Sequence, residues 1–538
     1  MSMKTSSILN DVLGPVMSGP SSSHTAAPGK IGLAVSKLWG GKVTAADVVY
    51  DERGSYPSTH VGQGSDFGFA AGLQGMPTDH PCFRDSIKTA RENGVRIRFL
   101  FAELGAHHPN EARIDIYEED GERVALSVLS FSTGGGTFLI PEIDGFRIHY
   151  DGQRKKCYIC CIDEAVPKID ALLFSLHCVY TKEKIDPMRT TFTGLLPEEA
   201  VLFEVEAASL AAQQLPESLE NISGIVYIRE IESVVPVPLR LEPVVPFACA
   251  EEMLAYCDTN GIDSMPELAL LYECSLGAIG LEDIDQCMRH VLCVMRRSMM
   301  PPPADDPVKM LIAPMISERL MRLNKLPVDM GVLECCMKSA VAVMENSCIH
   351  RAIVAAPTAG SSGILPATIV ALGERLCYSD MQIINALWTA GLVGAFIANQ
   401  ATFGGEVAGC QAEVGAAACM AAAGVVQLLG GNIRQCLDAA SIAMHSFLGL
   451  ICDPIGGITE VPCIERNVTA TAVVVMASNM AMCGMTSHIP LDETICTMLS
   501  VGKMLPDELC CTCRGGLCAT KTGKELAAEV AKSLLQRL

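Results

Sequence analysis

Residues 299–307 read Met-Met-Pro-Pro-Pro-Ala-Asp-Asp-Pro. Prolines this dense cannot continue a helix, because each lacks the N–H that the helical ladder needs. The stretch marks a linker, and the chain reads differently on its two sides. After it, from about 308 to 538, the pattern is almost wholly helical with small residues and glycine turns, which predicts an all-α C-terminal domain of closely packed helices. Before it, residues 1–155 mix strand-like runs (43–50, 95–101, 112–117, 123–130) with amphipathic helical ones (30–39, 83–93). Strands alternating with helices predict an α/β N-terminal domain, so the fold expected is multidomain. Residues 156–300 form an unassigned middle region: a strand-like, cysteine-rich start at 157–163, a proline-rich stretch at 234–246 and helical patterns over 249–299.

Composition narrows the classes of function. The 538 residues allow two or more sizeable cores, and 49% hydrophobic against 19% charged residues fits a compact enzyme rather than a disordered chain. Acidic residues outnumber basic ones 61 to 40, for a net charge of −21, which argues against nucleic acid as a partner because phosphate binding needs a basic face. The opening residues lack the continuous apolar core of a secretion signal, and a cytoplasmic location is expected. The most apolar stretches, 412–431 and 468–485, are interrupted by Glu413, Gln427 and Asn479 and rich in small residues; they read as buried helices, not membrane spans. The 25 cysteines are a heavy load for such a chain. A reducing cytosol would not keep them as disulfides, so most are expected to pack as small hydrophobes and a few to ligate metal.

Three constellations carry chemistry. The first is Gly19-Pro20-Ser21-Ser22-Ser23-His24-Thr25, whose hydroxyls and backbone N–H groups precede a helix at 30–39. That arrangement suits a substrate carboxylate, and equally a serine-rich helix cap. The second is the polar loop Ala356-Pro357-Thr358-Ala359-Gly360-Ser361-Ser362-Gly363, running into a helix at 364–376. The third is Cys410 in Gly-Cys-Gln-Ala-Glu-Val-Gly, Cys452 in Cys-Asp-Pro-Ile-Gly-Gly and Cys463 in Pro-Cys-Ile-Glu-Arg-Asn. Asp453-Pro454 and the paired glycines put Cys452 on a turn. Cys463 precedes a helix, whose dipole is expected to lower its thiol pKa. Spacing leaves open whether the three meet or are buried thiols. Cys157, Cys160 and Cys161 lack a second pair at zinc-ribbon spacing and read as packing.

The third constellation and the Ala-Pro-Thr loop, in this order, resemble the α region of the bacterial iron–sulfur L-serine dehydratases (L-serine ammonia-lyases). Gly-Pro-Ser-Ser-Ser-His-Thr resembles the opening of that family's β region. So do Gly54-Ser55 through Gly62, Ser65 and Asp66, then His108-Pro109-Asn110, then Ser132 with Gly134-Gly135-Gly136. The likeness covers about 1–155 and 308–470 and is poor across 156–300. It implies that Cys410, Cys452 and Cys463 hold a [4Fe-4S] cluster with one iron open to the substrate's β-hydroxyl. It further implies that a base takes the α-proton, that water leaves, and that a 2-oxo acid and ammonia result, without pyridoxal phosphate. Ser21, Ser22, Ser23, Thr25, Ser132, Gly134, Gly135, Gly136 and Thr358 are the implied substrate-binding residues. His24 and His108 are the candidates for proton transfer, since an imidazole titrates near working pH. In some members a terminal cysteine caps the open iron; this sequence ends Gln536-Arg537-Leu538, leaving one of Cys510, Cys511, Cys513 and Cys518 as the candidate for that place. The partners expected are a small amino acid and further copies of the chain.

Two positions depart from the family. Gln63 stands where a histidine is usual, with His60 three residues earlier, and His445-Ser446 replaces a glutamate-histidine pair. Glutamine and serine cannot titrate as imidazole does, so the departures bear on which β-substituted amino acid is used. A cysteine desulfidase or a threonine-type deaminase shares the chemistry, and a non-catalytic iron–sulfur sensor is the rival of another class. The two polar loops argue against a sensor, which needs no carboxylate site.

Overall fold

Strand-forming runs between residues 45 and 150 assemble into one six-stranded sheet in the computed structural model, which describes residues 5–535 except 106–107, 119–120, 186–195, 198, 207–214, 220–221 and 324–325. The strands are β1 (Ala45–Asp51), β2 (Arg96–Ala102), β3 (Glu111–Tyr117), β4 (Val124–Gly134), β5 (Thr137–Ile143) and β6 (Phe146–Tyr150). Their order is β2-β1-β3-β4-β5-β6, with β1 and β2 parallel and the other neighbours antiparallel. The parallel pair arises because β1 reaches β2 through the helices Ser65–Leu73 and Ser86–Glu92, a helical crossover of the kind parallel strands require. A second sheet of four antiparallel strands follows: β7 (Lys156–Ile162), β8 (Tyr180–Lys184), β9 (Ala200–Glu206) and β10 (Ile225–Ile231), in the order β10-β7-β9-β8. With the helices Ala27–Trp39 and Val166–Ser175, these sheets belong to one compact unit, Ser23–Pro243.

Helix Ala27–Trp39 lies against Ser65–Leu73 at backbone contact. A Cβ on Gly72 would collide with the Gly29 carbonyl oxygen, and one on Gly68 would stand 2.7 Å from the Thr25 carbonyl oxygen. Glycine is what lets these two helices approach, and their approach brings Thr25 to Gln63. Strand β7 is buried on both faces. Cys157, Ile159 and Cys161 pack with Ile169 and Leu173 on one side, while Tyr158 and Cys160 pack with Ile31 and Val35 on the other.

The other unit comprises Met1–Ser22 and Val244–Leu538. It is helix-rich rather than wholly helical, because Val16–Ser18 pairs antiparallel with Ala352–Val354. Its centre is the helix Ala416–Leu428, whose alanines and glycine let Asp380–Gln400, Ile433–His445 and Cys463–Met482 pack around it. Asp380–Gln400 and Gln411–Leu428 are long and apolar enough to cross a membrane, but 78% and 89% of their apolar windows are buried inside the protein. They are core helices here.

Candidate metal centre

Cys410 ends a tight connection after Gly409 and caps the helical turn Gln411–Gly415. Cys452 precedes Asp453-Pro454, and Cys463 opens the helix Cys463–Met482. Arg466, one turn into that helix, holds the three segments together. It donates to the Ile451 carbonyl at 3.0 Å, to Asp453 Oδ1 at 2.8 Å and to the Cys410 sulfur. Asn467 beside it accepts from Gly363 N at 3.0 Å and donates to the Gly360 carbonyl at 2.7 Å, which ties the loop carrying Thr358 to the same helix.

The result is a cluster of donors. The ligand atoms of Cys410, Glu413 and Cys452 all lie within 4.8 Å of one another, with Glu413 Oε2 3.9 Å from each sulfur. Thr358 donates to the Glu413 carboxylate. Cys463 is buried next to Cys410 and Glu413, though its sulfur is not within 4.8 Å of all three partners. The helix dipole does not win at Cys463: burial, then the charges of Cys410 and Glu413, push its thiol well above the ordinary range. Glu413 was not foreseen from the sequence. Burial pushes its carboxyl up to about 7. Cys511 is the further thiol at this place: its N–H donates to the Cys452 carbonyl at 2.7 Å, Cys452 N–H donates to the Leu509 carbonyl at 2.8 Å, and the Cys511 and Cys452 side chains hydrogen-bond.

This donor set fits a thiophilic metal group. Thiols and a carboxylate buried face to face oppose one another's ionisation, a conflict that a bound cation removes because thiolate is the ligating form. Room is reserved for it as well. A Cβ on Gly405 would stand 2.7 Å from Glu413 Oε2 and 3.1 Å from Cys452 Sγ, so glycine keeps this wall open. The donor set is consistent with an iron–sulfur cofactor.

In the α/β unit, His24, Ser55, Asn110, His108 and Ser132 form one hydrogen-bonded group. His24 Nε2 is 3.1 Å from Ser55 Oγ, Ser55 Oγ donates to Asn110 Oδ1, and Ser132 N donates to the Asn110 carbonyl at 3.3 Å. Asn110 N donates to His108 Nδ1 at 3.1 Å, so neutral His108 carries its proton on Nε2. His108 stacks on Phe131 at 4.7 Å between ring centroids. Burial lowers both imidazoles, that of His24 to about 4. Ser132 is fully buried at the end of β4, and Gly134, Gly135 and Gly136 turn the hairpin into β5 with φ of 95°, 61° and 82°. The serine segment differs from the expected loop. Ser22–Ala26 is itself a helical turn that continues into Ala27–Trp39, with Ser21 and Ser23 half-buried, Ser22 buried and Thr25 Oγ1 donating to the Gln63 carbonyl at 2.5 Å.

The segments that carry these thiols fall in the region that matches known proteins. A family model described as "Serine dehydratase alpha chain" matches residues 264–518. The chain is 43% identical over 194 residues to the probable L-serine dehydratase alpha chain of Bacillus subtilis, covering 36% of this chain and 65% of that one. It is 40% identical over 194 residues to the probable L-serine dehydratase alpha chain of Latilactobacillus sakei, covering 36% of this chain and 93% of that one. This chain belongs to the serine dehydratase alpha-chain family. L-serine dehydratase 1 of Escherichia coli is 36% identical over 284 residues, 51% of this chain and 61% of that protein. The matched region thus spans less than two thirds of the Bacillus and Escherichia proteins.

The two departures from the serine dehydratase pattern occupy different settings. Gln63 follows the short helix Tyr56–Thr59, donating its N–H to the Thr59 carbonyl at 2.8 Å. His60 is buried, with Nδ1 2.8 Å from both oxygens of Asp66, which also accepts from Tyr50 Oη at 2.9 Å. His445 and Ser446 are exposed at the end of Ile433–His445, with His445 Nε2 3.3 Å from Ser441 Oγ and 3.4 Å from Thr494 Oγ1.

Proposed function

We propose that this protein is a [4Fe-4S]-dependent ammonia-lyase of the cytoplasm that converts L-serine, or a closely related β-substituted amino acid, to a 2-oxo acid and ammonia, and that it works as a homo-oligomer. The observation that carries the reading is the convergence of Cys410, Glu413 and Cys452, with Cys463 beside them, in a chain of this family. Cys410, Cys452 and Cys463 would hold the cluster, with Cys511 the adjacent further thiol. When bound, such a cluster supplies a Lewis-acidic iron that makes the substrate's β-hydroxyl a better leaving group.

The protein's own residues divide the remaining work. The substrate-binding candidates are Ser23, Thr25, Ser132 and the hairpin N–H groups of Gly134–Gly136 in the α/β unit, and Ser21, Ser22 and Thr358 in the helix-rich one, as hydrogen-bond partners for a carboxylate or amino group. His108 keeps a proton on Nε2 and suits donation. His24, neutral at working pH, directs Nε2 to Ser55, whose own proton goes to Asn110, so it positions that relay through a hydrogen bond. The two imidazoles are the candidates for proton transfer, His108 as the donor. Gln63 offers a donor and an acceptor without charge, which suits holding a polar group and bears on the choice of amino acid. The test is 2-oxo-acid formation by protein purified without oxygen, comparing kcat/KM for L-serine, L-threonine and L-cysteine in the wild type and in Gln63→His. Turnover of serine or one relative supports the reading; no turnover of any of the three by iron-loaded protein would overturn it.

A further inference from the structure

The segment Cys510-Cys511-Thr512-Cys513-Arg514-Gly515-Gly516-Leu517-Cys518 lies along the turn that carries Cys452, and its outer thiols do something the reaction does not need. Cys513 Sγ donates to the Pro454 carbonyl at 3.4 Å, and Cys518 Sγ donates to that same oxygen at 3.2 Å and to the Asp453 carbonyl at 3.3 Å. Two thiols that share one acceptor stand side by side, close enough for each to perturb the other's ionisation. Leu517 N donates to Asp453 Oδ2 at 2.7 Å, which seats the segment on the turn independently of sulfur. Cys513 is exposed and Cys518 is buried, the arrangement of a thiol that meets an oxidant and a thiol that resolves it. Cys511 and Cys513 also adopt left-handed backbone, with φ of 59° and 56°, a conformation that non-glycine residues seldom take and that here presents the Cys513 side chain to Pro454.

We propose that Cys513 and Cys518 form a reversible disulfide, a modification site whose oxidation releases the cluster-bearing turn from two thiol contacts. The oxidant class is a low-molecular-weight disulfide. The Cys513 thiol loses its proton to water and attacks one sulfur of that disulfide, forming a mixed disulfide and releasing one thiolate. The Cys518 thiol then loses its proton and attacks the Cys513 sulfur, forming the internal disulfide and releasing the second thiolate. Two protein thiols are oxidised and one small disulfide is reduced to two thiols, which take up the two protons. In the reduced state both thiols donate to Pro454; in the oxidised state neither has a proton to give, so this carbonyl, two residues after Cys452, loses two donors. Oxidation therefore loosens the turn. That consequence rests on the iron–sulfur reading; the disulfide itself does not.

The test equilibrates anaerobically purified protein with graded ratios of glutathione to glutathione disulfide, then blocks free thiols by alkylation. Trypsin cuts after Arg514 and separates the two cysteines, so their peptides stay joined only if the disulfide exists. The expected result is a linked pair in the wild type that grows with the oxidant ratio and is absent in Cys513→Ser, whose replaced side chain is exposed. Both thiols remaining alkylatable at every ratio, or Cys513 joined to Cys511 instead, would overturn the proposal. In the same samples the absorbance of bound iron–sulfur should decay at least threefold faster after oxidation, and in Cys513→Ser the decay should not depend on the ratio. Equal decay in both would sink the coupling to the turn. A disulfide in protein that never binds iron would instead count against the proposed function and leave the disulfide standing.

Discussion

Strand β7 and the turns at Cys410 and Cys452 both bury cysteines, and the contrast between them separates packing from ligation. In β7 the strand's period of two sends Cys157 and Cys161 to one hydrophobic core and Cys160 to another, so the three sulfurs cannot meet on one ion. Burial is the largest cause that pushes Cys157 and Cys160 up to about 12, and each sits within a hydrophobic cluster rather than among converging thiols. At Cys410 and Cys452 the sulfurs come from turns, face each other and a carboxylate, and are braced by Arg466 from outside. Burial is common to both regions. What differs is whether polar groups converge, and convergence is made by turns and helix starts rather than by a strand.

The contrast breaks most sharply on removal of a facing thiol. Cys452→Ser should lose bound iron and lower kcat by more than roughly a hundredfold, since even partners outside the ligand set cost ten- to hundredfold when removed. Iron analysis and turnover of 2-oxo acid check it together. Gly405→Ala should come next: its Cβ would crowd Glu413 and Cys452, and iron affinity should fall by roughly tenfold or more while the fold's melting transition survives.

Carboxylates repeat the comparison. Glu273, like Glu413, is buried and pushed up to about 7 by burial, but its hydrogen-bond partners are Ser7 Oγ at 2.5 Å and Ile8 N at 2.7 Å rather than thiols. Its folded pKa lies above its unfolded value, so its stabilising contribution is complete below about 4.5 and is lost as pH rises through about 7. Glu273→Gln does not titrate. Its stability relative to wild type should therefore improve between pH 5 and pH 8, by at most about 3 kcal/mol, in thermal melts. The smallest effect belongs to β7. Cys160→Ser should keep full iron and activity and cost about 1–2 kcal/mol, because a hydroxyl is buried there where a thiol packed.

The sequence made local structure legible and left long-range structure hidden. Alternation located β1 through β4 within a few residues, and the proline run at 299–307 fell between helical elements, after Leu281–Ser298. The cysteine segments stood out through their resemblance to the family's motifs; turn chemistry and spacing left open whether the three meet. The pairing of Val16–Ser18 with Ala352–Val354 was missed, since three-residue strands so distant in sequence leave no periodic trace. Glu413 was missed because in the sequence it shows only as a charge interrupting an apolar run, and only the tertiary structure turns it toward two sulfurs. The helical turn Ser22–Ala26 was read as a loop because serine-rich sequence favours caps, a local preference that packing against Ser65–Leu73 overrode.

The central claim is that the thiols of Cys410, Cys452 and Cys463 hold an iron–sulfur cluster. The most direct measurement is iron and acid-labile sulfide, with Mössbauer spectra, on protein purified without oxygen and on the variant with all three changed to serine. The account predicts about four irons and four sulfides per chain in the wild type, as a [4Fe-4S] cluster requires, and none above background in the variant. Full iron content in the triple variant, or a wild type that binds no iron under reconstitution, would contradict it.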